Sequence, residues 1–93
     1  MLKLSNEVDV RQSMRENILK LLHQRGVEKT CCPIEIPRSL FGNEWRNYMD
    51  MTRSVSWDLC DEGLIEVCQK GVAVTDKLDV KGPIRLRLKT IKN

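Results

Sequence analysis

The sequence predicts an α+β domain in which amphipathic helices come first and a β-hairpin closes them. Three observations carry the prediction. Apolar residues recur at helical spacing through the first two-thirds of the chain. Glycines fall where those runs end. Past Gly63 the apolar period changes from helical to strictly alternating. With 93 residues, 41% hydrophobic and 31% charged, the chain suits one folded domain over 1–93 with a modest core, and a deep catalytic cleft is not expected.

The first helix is read from Val10 to Arg25, where Val10, Met14, Ile18, Leu21 and Leu22 share an arc of about 120°. Gly26 follows where a left-handed cap is wanted. "VEKTC" is β-tolerant and predicts a brief strand or an extended connector. Pro33 permits a second helix to begin, but Pro37 lacks an N–H and presses on the preceding turn, so this helix is expected to start late or irregularly. Gly42 breaks it and Asn43 is the expected N-cap of the next. The longest helix is read from Glu44 to Glu62. Trp45, Tyr48, Met51, Thr52, Val55 and Leu59 form its inner side, and Arg46, Asp50, Arg53, Trp57 and Asp61 its outer side.

Gly63 caps that helix. In "LIEVCQ", Ile65 and Val67 take one face and Glu66 and Cys68 the other. After Pro83, "IRLRL" turns Ile84, Leu86 and Leu88 inward and Arg85 and Arg87 outward, so the two strands can pair antiparallel across a basic loop. The resulting order is three helices, a C-terminal hairpin wing and a short extra strand. It is that of a winged helix-turn-helix.

The stretches "CCPIEI", "EWRNYM", "DEGLIEVCQKG" and "KGPIRLRL", in this order and spacing, resemble an uncharacterised family of short bacterial proteins known only as a domain of unknown function, the 3253 family. The resemblance covers about residues 18–88. It implies a winged-helix-like fold and brings no catalytic residues. Pro37 and Trp57 depart from the family's pattern, which tends to a helix former and a small residue at these places. Residues 1–8 and 89–93 are expected to be flexible ends.

Charge distribution bears on function more than the total of +3 does. From Lys70 onward, Lys70, Lys77, Lys81, Arg85, Arg87, Lys89 and Lys92 face only Asp76 and Asp79, so the rest of the chain is net acidic. A basic segment at one end of a small domain suits an acidic partner. The expected function is therefore binding of nucleic acid, double-stranded DNA in the first place. Lys70, Lys77, Lys81, Arg85 and Arg87 would contact phosphates, and Arg46, Asn47 and Arg53 would reach bases or backbone from the third helix. One feature opposes this: between Glu44 and Glu62, Arg46 and Arg53 are outnumbered by Glu44, Asp50, Asp58, Asp61 and Glu62.

The alternative is a protein-interaction or homodimerisation surface on the outer face of the third helix, with Trp57 exposed between Arg53 and Asp61. An enzyme is not expected. His23 has no paired nucleophile, and Cys31 near Lys29 is a single pair without a base, even if the lysine lowers its thiol pKa. Cys31, Cys32, Cys60 and Cys68 lack the close pairing of zinc ligands, so no metal or cofactor is expected. No run of about 18 apolar residues is present and "MLKLSNEVDV" has no secretory character, from which a cytoplasmic protein without membrane contact is expected.

Overall fold

The computed structural model describes residues 7–74, 80 and 82–89. Helix α1 spans Glu7–Arg25, with Glu7 and Asp9 in its first turn and His23 and Arg25 in its last, the arrangement that complements a helix dipole. Glu7 and Val8, expected in a flexible end, are therefore helical. Residues 1–6 and 90–93 lie outside the described residues, whereas Lys89 is tied to the fold by its N–H, which donates to the Leu64 carbonyl at 3.2 Å. Val10, Met14, Ile18 and Leu22 form the buried stripe of α1, and the helix ends as the Gly26 N–H reaches the Leu22 carbonyl.

Strand β1 is Thr30–Cys31 and helix α2 is Glu35–Phe41. The entry to α2 shows how Pro37 is accommodated. The Ile36 N–H bonds the Pro33 carbonyl at 3.2 Å, so the acceptor that an amide at position 37 would use is already filled. Glu35 completes the entry by accepting the Cys32 N–H at 3.0 Å.

The long helix expected over Glu44–Glu62 is divided. Gly42–Tyr48 is a 3-10 helix, and α3 runs from Met49 to Asp61. Asn43 is inside the 3-10 segment and is not an N-cap; that segment is preceded by Phe41, without a side-chain cap. At about 120° per residue the 3-10 turn rotates its side chains away from the α-helical arc. Trp45, expected in the core, consequently stands half-exposed. Tyr48 still packs on the core and stacks on Phe41 with ring centroids 3.8 Å apart.

Gly63, at φ 80°, closes α3: its N–H bonds the Cys60 carbonyl at 3.0 Å and the Leu64 N–H bonds the Leu59 carbonyl at 3.1 Å. This double closure needs a left-handed residue, and glycine adopts that conformation without a Cβ clash.

Strands β2 (Ile65–Gln69), β3 (Val72–Ala73) and β4 (Arg85–Leu88) complete one antiparallel sheet with β1, in the order β1-β4-β2-β3. Register sets Ile65 opposite Leu88 and Val67 opposite Leu86, while Glu66 faces Arg87 and Cys68 faces Arg85. Ile65, Val67, Ile84, Leu86, Leu88 and Cys31 bury themselves against α1, Ile36, Val55 and Leu59. At roughly 1.5–3 kcal/mol for each fully buried aliphatic side chain, this face is the main reason the hairpin and helices hold together. The other face carries the arginines. Cys68 is buried there too, on the face of β2 opposite Ile65 and Val67.

Candidate nucleic-acid interface

The arginines divide into two groups. Arg11 pairs with Asp58 and Arg15 with Glu62, so the same four-residue spacing on α1 and α3 forms two rungs between the helices. Arg11 also donates to Ser54 Oγ at 3.1 Å. Arg25 pairs with Glu35, and Arg87 pairs across the sheet with Glu66 at 2.9 Å. Hydrogen bonding to its carboxylate raises the pKa of Arg87 further, which keeps it charged and committed to Glu66. Arg38, Arg46, Arg53 and Arg85 have no carboxylate partner among the described residues.

This division alters the charge argument for the third helix. Asp58 and Glu62, which opposed an acidic ligand in the sequence, are engaged by arginines of α1. Arg15 holds the Glu62 carboxyl below its ordinary pKa by hydrogen bonding. Glu44, Asp50 and Asp61 remain exposed against Arg46 and Arg53.

The uncommitted cations come from different elements. Arg46, in the 3-10 segment, lies over the Trp45 ring with its guanidinium carbon 4.6 Å from the centroid, and neighbouring Asn47 is exposed. Arg53, half-buried on α3, borders a hollow of about 460 Å³ whose walls include Cys32, Ile34, Met49, Pro83 and Ile84. Arg85, on β4, donates from Nε to Thr30 Oγ1 at 2.9 Å and borders a second hollow of about 490 Å³ with Cys68, Gln69, Lys70 and Pro83. Pro83, which is exposed, borders both hollows, with Arg53 at one and Lys70 and Arg85 at the other.

Of the expected site residues, Arg46, Asn47, Arg53, Lys70 and Arg85 are thus on the surface or at the rim of a hollow. Arg87, expected to serve a phosphate, is half-buried in its ion pair with Glu66, because register places the two directly opposite. Lys77 and Lys81 lie outside the described residues. Arg38 was missed: it is an exposed arginine on α2 without a carboxylate partner among those residues. Its position after Pro37, on a helix of uncertain start, gave no signal of exposure.

Trp57, expected to stand exposed beside Arg53 and Asp61, is half-buried and packs on the core. Val80, beyond β3, packs on the same core and adds cover that helical periodicity does not foresee. The Cys31 thiol pKa is raised to about 11, chiefly by burial, so Lys29 does not lower it. His23 is engaged locally, its Nδ1 2.7 Å from the Leu19 carbonyl. No group of three metal-ligating side chains occurs among the described residues, and no helix among them is long and apolar enough to cross a membrane.

The family model described as protein of unknown function, DUF3253, matches residues 11–89. The chain belongs to this family. A search of curated proteins returns no match. The DUF3253 match begins at Arg11 and ends at Lys89, so it takes in both rungs of the α1–α3 ladder, both hollows and all of the sheet.

Proposed function

We propose that this DUF3253 chain is a winged-helix module that binds double-stranded DNA, with α3 and the 3-10 segment before it as the groove-facing element and the β2–β4 hairpin as the wing. The order helix, strand, helix, helix and then three strands supports the fold reading, as does β4 lying between β1 and β2. The carrying observation is the separation of the arginines. Arg53 and Arg85, without carboxylate partners among the described residues, border the two hollows that meet at Pro83, while Asp58 and Glu62 are neutralised on the α1 flank.

The proposed contact is mainly electrostatic: arginine and lysine engage phosphates, and the exposed Glu44 and Asp50 limit how closely the helix approaches. A binding module rather than an enzyme is further supported by the raised pKa of both Cys31 and Cys68, which keeps these thiols protonated. The protein-contact reading retains Arg53 and Asp61 but has lost the exposed tryptophan that motivated it.

The test is titration of a short labelled duplex at two salt concentrations. Wild-type affinity should fall steeply with salt, and Arg46→Gln with Arg53→Gln should flatten the logarithmic slope by up to about 1.8, at about 0.9 per phosphate contact. The melt of this double variant should stay close to wild type, since neither arginine is in an ion pair among the described residues. Absence of wild-type binding at low salt, where such contacts are strongest, removes the proposal.

A further inference from the structure

The β2–β3 turn contains a backbone feature that its structural role does not explain. Gln69 pairs with Val72, so Lys70 and Gly71 form a two-residue turn, and both have positive φ, 52° and 81°. This is the type I′ geometry, for which Asn-Gly is the favoured pair because asparagine tolerates the left-handed region. Lys70 is the sole non-glycine residue with positive φ among the described residues. A long side chain is thus held in a conformation that a shorter one would adopt more readily.

The surroundings of Lys70 supply a reason. It borders the same hollow as Arg85, and no carboxylate lines that hollow among the described residues. The Cys68 thiol, which also borders it, is kept protonated by burial and adds no negative charge. Gln69 Nε2 donates to the Pro83 carbonyl at 3.2 Å, which joins the residue before the turn to the approach to β4. Arg85 is oriented in turn by its Nε bond to Thr30, which leaves the outer edge of the guanidinium for a ligand.

We infer that Lys70 and Arg85 form a discrete oxyanion site that takes one phosphate group between an ammonium and a guanidinium. The group is either a phosphodiester of a bound strand or a free phosphate. The assignment rests on the nucleic-acid reading for its macromolecular ligand and adds to it a specific position: one phosphate is fixed at the tight turn of the sheet, beside the Pro83 that also borders the Arg53 hollow, rather than at Lys77 or Lys81. A strand crossing Pro83 would meet Arg53 at one hollow and the Lys70–Arg85 pair at the other.

Lys70→Asn is the informative variant, because it removes the charge while supplying the residue this turn prefers. Its melting temperature should equal or exceed that of wild type. Two titrations of the full chain then decide: a labelled duplex at two salt concentrations, and inorganic phosphate followed by backbone amide shifts. The expected result is a salt slope flattened by about 0.9 in Lys70→Asn, together with loss of phosphate-induced shifts at Gly71 and Arg85. Wild-type duplex binding with slope and phosphate shifts unchanged in Lys70→Asn overturns the site and leaves the nucleic-acid reading standing. Phosphate shifts at these amides without duplex affinity support the site for free phosphate and overturn that reading. Neither duplex binding nor phosphate shifts in the wild type overturns both.

Discussion

Arg15 on α1 and Glu62 at the C-terminal end of α3 meet as a two-pronged ion pair, each guanidinium Nη donating to one carboxylate oxygen. Together with Arg11 and Asp58 one turn away, the pair aligns two helices distant in the sequence. It also removes a carboxylate from the face otherwise available to an acidic ligand.

The pair predicts a pH dependence. Hydrogen bonding from Arg15 lowers the folded-state pKa of Glu62, and Arg25 does the same for Glu35. A carboxyl with a depressed folded pKa contributes stability that is fully present above its unfolded value, near 4.5, and is lost as pH falls through the lower folded value. Glu62→Gln should therefore melt below wild type at neutral pH and converge with it in acid. A difference that persists unchanged at about pH 3 would show that the carboxylate charge is not its cause.

Gly63→Val should destabilise the fold by about 1–2 kcal/mol or more, since a β-branched residue is strained at φ 80°. The space around the glycine is open, so the penalty comes from the backbone alone. Denaturant unfolding measures it, and Gly63→Asn should recover part of the loss because asparagine enters the left-handed region more readily.

Thr52 is fully buried on α3, and its hydroxyl donates to the Tyr48 carbonyl at 2.8 Å, bridging the 3-10 segment and the first turn of α3. Thr52→Val keeps the shape and the backbone bond to that carbonyl, whose residue caps the start of α3, but removes the hydroxyl's additional hydrogen bond, so a loss of about 0.5–1.5 kcal/mol is expected. A neutral result in denaturant unfolding would mean that the junction is held by packing alone.

Native-state alkylation near neutral pH should modify Cys32 and Cys60, which are partly exposed, well before Cys31 and Cys68, which are buried with raised pKa values. Mass spectrometry after timed quenching reads the order, and denaturant should abolish it. Early modification of Cys31 would contradict its place between the sheet and α1.

Much of the architecture follows from residue order alone. Val10, Met14, Ile18 and Leu22 repeat at helical spacing, Ile84, Leu86 and Leu88 alternate, and Gly26 and Gly63 punctuate them, because a one-sided core imposes periods of 3.6 and 2 on any chain that buries it. The Lys70, Arg46 and Arg53 charges are equally legible. What the residues could not reveal depended on partners far along the chain or on local backbone choices among near-equal energies. The 3-10 turn at Gly42–Tyr48 rotated Trp45 off the core arc, and packing half-covered Trp57 on a helix face that periodicity reads as outer. Which arginines remain available was a tertiary matter as well. Arg87 was spent on Glu66 by strand register, whereas Arg85, two residues away on the same strand, fell opposite Cys68 and kept its charge for the surface. Side-chain type is written in the sequence, but an ion pair forms only where the fold brings its two members within a few ångströms, and that distance is set by the whole chain at once.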